Sequence, residues 1–89
     1  MKIQIDQHTR VRAAERGVTD KEIEETILTG VSMPAALGRL ARHRVFEFNS
    51  VWNGRYYAQK RVEVVYVVEN GVIITITVYS MYGQWRSDL

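Results

Sequence analysis

The sequence predicts one α+β domain in which two N-terminal helices pack on an antiparallel sheet of three to four strands. Three observations carry this: two capped helical segments before Gly30, a change to a two-residue period after Arg44, and two Asn-Gly pairs that divide the remainder into hairpins. A chain of 89 residues has room for one core, so a single domain is expected over 1–89. The first helix is expected from Gln7 to Arg16. Asp6 can accept from its free amides, and Gly17 stands where a left-handed residue ends a helix. Thr19 and Glu22 have the spacing of a capping box, Ile23, Ile27 and Leu28 recur at helical spacing, and Gly30 closes the second helix.

Residues 31–43 fit no single pattern. Pro34 forbids a regular helix, while Ala35, Ala36, Leu37, Leu40 and Ala41 could form a short one across Gly38. From Arg44 the apolar residues alternate, so a strand begins there, turns at Asn53-Gly54, and is followed by strands over 58–69 and 72–80 joined at Asn70-Gly71. In the last strand Val72, Ile74, Ile76 and Val78 form one apolar face, expected beneath the helices. With no bulge, the two-residue turn sets Tyr66 opposite Thr75, Val64 opposite Thr77 and Val62 opposite Tyr79. Lys60, Val62, Val64, Tyr66, Thr75, Thr77 and Tyr79 then line the other face. That face is either an open binding floor or a surface of good strand formers.

Composition excludes several classes. Without cysteine there are no disulfides, no thiolate nucleophile and few structural zinc geometries. His8 and His43 are far apart and lie in no metal-ligand spacing; no glycine-rich phosphate loop or nucleophile elbow is present, and no metal or cofactor is expected. The first residues lack the apolar run of a signal peptide and no stretch would span a bilayer, so a cytoplasmic protein without membrane contact is expected. Net charge is only +2 but is unevenly spread. Residues 39–61 hold Arg39, Arg42, Arg44, Arg55, Lys60 and Arg61 against Glu47 alone, whereas 19–29 hold Asp20, Glu22, Glu24 and Glu25 against Lys21. The basic middle suits phosphate or is simply a solvated surface.

On the first helix His8, Arg12 and Arg16 recur every fourth residue on one side, with Glu15 among them and Val11 and Ala14 on the adjacent side expected to be buried. An imidazole can give or take a proton near neutral pH, and each guanidinium can hold a phosphate in a bidentate grip. Together they suffice for phosphodiester transfer in RNA, where the neighbouring 2′-hydroxyl is the attacking group. The plain alternative is a surface histidine with arginines paired to Glu15. Two helices joined at Gly17 also have the outline of a helix-turn-helix, but the acidic second helix would be repelled by DNA phosphates.

The run from His8 to Thr19, with its H-x-x-x-R-x-x-x-R-G-V-T pattern, the following helix Glu22 to Gly30, and the closing hairpin ending in Val78-Tyr79 resemble the bacterial family known as domain of unknown function 4258. That family looks related to RelE-like toxins within the barnase/EndoU/colicin/RelE group of metal-independent RNases. The resemblance implies a RelE-like fold, endoribonuclease activity restrained by a partner antitoxin, and RNA as substrate. It makes His8 a general acid or base and gives Arg12 and Arg16 the phosphate. The strand-face argument adds Tyr79 to the catalytic set and Lys60 and Tyr66 to the substrate contacts, and Arg61 of the basic middle joins those contacts. Two other readings stay open: a non-catalytic protein- or RNA-binding module using the tyrosine-threonine face, and a homodimer joined through a sheet edge or through Met81 to Trp85.

Overall fold

Asp6 and Thr19 start the two helices as the sequence requires. In the computed structural model, which describes residues 1–85, Asp6 caps α1 (Gln7–Arg16) by accepting from the His8 amide, and Thr19 and Glu22 form a complete capping box on α2 (Asp20–Thr29). Positions 86–89 of the expected domain lie outside the described residues. Gly17 ends α1 at φ +70°, and a Cβ there would lie 2.6 Å from the Trp52 ring. Gly30 ends α2 for a different reason. Its φ is −75°, but a Cβ would fall 2.3 Å from the Thr26 carbonyl oxygen and 2.6 Å from that of His43, so only glycine lets the chain pass between α2 and the sheet.

The architecture is α+β, with the helices on one face of a five-stranded mixed sheet in the order β1-β5-β4-β3-β2. The strands are β1 (Lys2–Gln4), β2 (Val31–Met33), β3 (Leu40–Trp52), β4 (Arg55–Glu69) and β5 (Val72–Gly83). The three long antiparallel strands are those the alternation predicts, though each extends further than expected. Asn53-Gly54 and Asn70-Gly71 make the turns, all four residues at positive φ. Two short strands complete the edges. β1 pairs parallel with β5 over Val72 to Ile74, and β2 pairs antiparallel with β3; the short helix considered for Ala35 to Ala41 does not form, since Leu40 and Ala41 begin β3. Residues 34–39 form the loop between β2 and β3.

The faces of the sheet depart from the no-bulge expectation. Tyr66 does pair with Thr75, but the next pair is Val65 with Thr77, leaving Ile76 as an extra residue in β5. Val64 therefore faces Val78, Val62 faces Ser80, and Glu63 faces Tyr79. Lys60, Val62, Val64 and Tyr66 lie beneath the helices with Ile73, Thr75 and Val78, all of them buried. Val72 and Ile74, expected under the helices, pair with Glu69 and Val67 on the opposite side, where Thr77 and Tyr79 also lie.

The core is built from Ala13, Val18, Ile23, Ile27, Val62, Val64, Tyr66, Ile73 and Val78, with Ile3, Ile5 and Phe46 packed against it. On α1 the buried seam is Thr9 and Ala13, while Val11 and Ala14, expected inside, are exposed. Thr9 is fully buried because its hydroxyl accepts from Thr75, satisfying a polar group that burial would otherwise penalise.

Three residues of the basic middle dock the acidic helix. Arg44 pairs with Glu25 at 2.8 Å and reaches Thr29, Arg42 donates to the Ile27 carbonyl, and Lys60 pairs with Glu22 at 2.8 Å. α2 has no basic residue in its own last turn, so Arg42 and Arg44 bring positive charge from β3 to its C-terminal end.

Candidate functional site

α1 is held along β5 at both ends. At its start the Thr75 hydroxyl accepts from the Asp6 amide at 2.9 Å and donates to Thr9 Oγ1 at 2.9 Å. At its end the Arg16 carbonyl accepts from Ser80 Oγ at 2.9 Å and from Tyr82 Oη at 2.8 Å. Burial raises the Tyr82 hydroxyl pKa above its ordinary value, with the Ser80 hydrogen bond opposing the shift and the charge of Glu22 adding to it. Tyr82 itself stacks on Trp52 at 4.9 Å and meets Phe48 edge-on at 5.1 Å. Residues projecting from α1 are thus carried on a rigid support rather than on a loop.

β1 covers β5 only as far as Ile74, so beyond that point the outer edge of β5 has no neighbouring strand among the described residues. Arg16 occupies part of this edge, donating to the Val78 carbonyl at 2.7 Å, and its guanidinium lies 5.2 Å from the Tyr79 ring centroid. The Ile76 bulge turns Thr77 and Tyr79 onto the face away from the helices. Across the free edge, α1 and this face share an open groove of about 490 Å³ lined by His8, Arg12, Arg16, Arg39, Ile76, Thr77 and Tyr79.

His8, Arg12, Arg16 and Tyr79 from the sequence reading therefore come together. Arg39 and Thr77 join them. The loop after Pro34 carries Arg39 to the groove, and no local pattern announces its destination. His8 is exposed, Arg12 and Arg16 are half-buried, and Arg12 pairs with Glu15 at 3.0 Å, as the plain alternative expects. That pair is solvent-exposed and worth little, so an incoming phosphate can compete for the guanidinium. Three guanidiniums around one imidazole and two hydroxyls make a groove suited to an anion.

Lys60, Tyr66 and Arg61 are elsewhere. Lys60 is only 4 % exposed, its ammonium donating to Glu22 and to the Gly17 carbonyl at 2.9 Å beneath the helices. Tyr66 is buried in the core. These two placements correct the expectation of a single floor: the bulge sends Tyr79 to one side and leaves Lys60 and Tyr66 on the other. Arg61 shares the open face with Tyr79 but is engaged by Glu63 at 3.0 Å and does not line the groove. Trp85 folds back on the sheet, its amide donating to Gln59 and its ring close to Gly83.

His43 faces Glu63 across β3 and β4. Burial first, then the charge of Arg61, lower its pKa below the ordinary 6.5, with Glu63 opposing them. A histidine whose folded pKa is depressed binds its proton more readily in the unfolded chain, so its contribution favours folding less as pH falls below 6.5. We expect the urea midpoint to drop between about pH 7 and pH 5.5, and the His43→Gln variant to have a flatter profile over the same window. Equal slopes would remove His43 as the source.

Among the described residues, no group of three or more His, Asp and Glu side chains is placed to hold a metal ion. Among the same residues, no helix is long and apolar enough to cross a membrane. Comparisons with family models, curated proteins and solved structures find no match for this chain.

Proposed function

We propose that the chain is a metal-independent endoribonuclease of toxin–antitoxin type, cleaving RNA by attack of a 2′-hydroxyl on the adjacent phosphodiester. The observation that carries this reading is the convergence of His8, Arg12 and Arg16 from α1 with Tyr79 from β5 and Arg39 from the β2–β3 loop around one groove. The step requires a base for the 2′-hydroxyl proton, a donor for the leaving 5′-oxygen and positive charge for the two non-bridging oxygens. His8 has the chemistry for proton transfer, Arg12, Arg16 and Arg39 for the charge, and the Tyr79 hydroxyl is the second proton-carrying group. The attacking oxygen belongs to the substrate, so the groove needs to supply no nucleophile of its own.

A RelE-like architecture and an antitoxin partner belong to the same proposal. Val65, Val67, Val72 and Ile74 lie on the face without helices, where a partner could bury apolar surface beside the groove. This same face supports the second reading, a binding module without catalysis. Expression of wild type beside His8→Ala separates them. The nuclease reading expects growth arrest and fragmented RNA with wild type only. Intact RNA in both, with a bound partner retained, supports the binding module.

A further inference from the structure

A second groove of about 270 Å³ opens on the face away from the helices, between the β2–β3 loop and strands β4 and β5. Arg39, Thr77 and Tyr79 line both grooves, so the two are continuous. Their chemistry differs. The first is ringed by guanidiniums, whereas the second is walled by Met33, Pro34, Ala36, Ala41 and Val65, with the Tyr79 ring at the junction. Its volume is close to the lower bound of about 300 Å³ for small-molecule clefts, enough for one planar ring system rather than a chain of them. The acid lining it is Glu63, which stands opposite Tyr79 in the sheet. Arg61 engages Glu63 Oε2, and the side chain is 17 % exposed, so Oε1 has capacity for another donor.

We propose that this apolar groove holds the nucleobase of the nucleotide whose phosphate sits among Arg12, Arg16 and Arg39, and that Glu63 selects a base carrying an exocyclic amine. The inference rests on the RNA-cleavage reading and deepens it by assigning a base subsite. The ring system would stack against Tyr79 and the Pro34–Ala36 wall, as unpaired bases do on aromatic and apolar surfaces. A carboxylate accepts from an amine but meets carbonyl lone pairs with repulsion. Cytosine presents an amine where uracil presents a carbonyl, so these pyrimidines differ in the group that matters while matching in size.

The test is titration of the purified protein with cytidine 3′-monophosphate, uridine 3′-monophosphate and inorganic phosphate, followed by calorimetry or NMR. The expected result is tighter binding of the cytidine nucleotide than the uridine nucleotide by roughly tenfold. Glu63→Gln should bring that ratio towards unity without weakening inorganic phosphate, because an amide can turn either its oxygen or its NH₂ to the base. Ala36→Phe, in the exposed loop, fills the groove and should reduce both nucleotides to the affinity of inorganic phosphate. Equal affinities for the two nucleotides in wild type would overturn the base subsite. If phosphate binding persisted and were lost in Arg12→Ala, the cleavage reading would survive that result. Failure of all three probes to bind would overturn both.

Discussion

Under the proposed nuclease reading, replacing His8 with alanine should lower the rate of RNA cleavage by about 10²- to 10⁴-fold while leaving the fold intact. The imidazole is exposed, and the hydrogen bond from its residue to Asp6 is made by the backbone amide, which alanine retains. Core packing on α1 is carried by Thr9 and Ala13, one and five positions further along, so little stability rides on the ring. Affinity for RNA should change far less than turnover, since charge contributed by Arg12, Arg16 and Arg39 remains. A KM that rises with kcat unchanged would assign His8 to binding rather than proton transfer. The arginines are expected to behave differently from one another. Among the described residues Arg12 is tied to Glu15 alone, so Arg12→Ala should weaken phosphate binding with little effect on folding. Arg16 also donates to the Val78 carbonyl, so removing it should affect both folding and activity.

Lys60→Ala is expected to be strongly destabilising, costing about 2–4 kcal/mol, somewhat less than the roughly 3–5 kcal/mol for breaking a fully buried pair because Glu22 retains some water contact. The Lys60 ammonium joins three elements: it donates to Glu22 on α2 and to the Gly17 carbonyl at the helix junction, from a position on β4, and it lies 5.3 Å from the Phe48 ring centroid. Loss of the ammonium leaves Glu22 bound only to the Thr19 amide and leaves the Gly17 carbonyl without this donor. For a domain of this size each kcal/mol shifts Tm by roughly 4–8 °C, so thermal or urea unfolding resolves the effect easily. The pair Glu22→Gln with Lys60→Met should cost less than Lys60→Ala, since neither partner is then left as an uncompensated charge. A loss no larger than that of an exposed bridge would show that water reaches the pair.

The features legible in the sequence are those decided within a few residues of themselves. Asp6, the Thr19/Glu22 box, Gly17 and the two Asn-Gly turns specify local backbone geometry, and each appears where the pattern placed it. β1 and β2 are three residues each, too short for alternation to register, and exist because the edges of β5 and β3 give them partners. The Ile76 bulge was illegible for a related reason. Ile74 to Tyr79 alternates without interruption, so the change of face midway shows only in the pairing with β4. Unbroken alternation therefore places Lys60 and Tyr66 with Tyr79, whereas the bulge puts them on the opposite face. His8, Arg12 and Arg16 could be grouped correctly because helical spacing is local. Their meeting with Tyr79 depends on the same bulge, and Arg39 arrives through a loop whose path is set by tertiary contacts.

The account depends on the groove acting on an RNA phosphodiester through the substrate's own 2′-hydroxyl. The most direct measurement is end-group analysis of a short RNA, with a matched strand carrying a single 2′-deoxy residue, incubated with the purified protein in the presence of a chelator. The account predicts 2′,3′-cyclic phosphate ends from the all-ribose strand, protection of the bond following the deoxy residue, and formation of product by His8→Ala slowed by about 10²-fold or more. Cleavage at the deoxy position, or equal cleavage by His8→Ala, would contradict it.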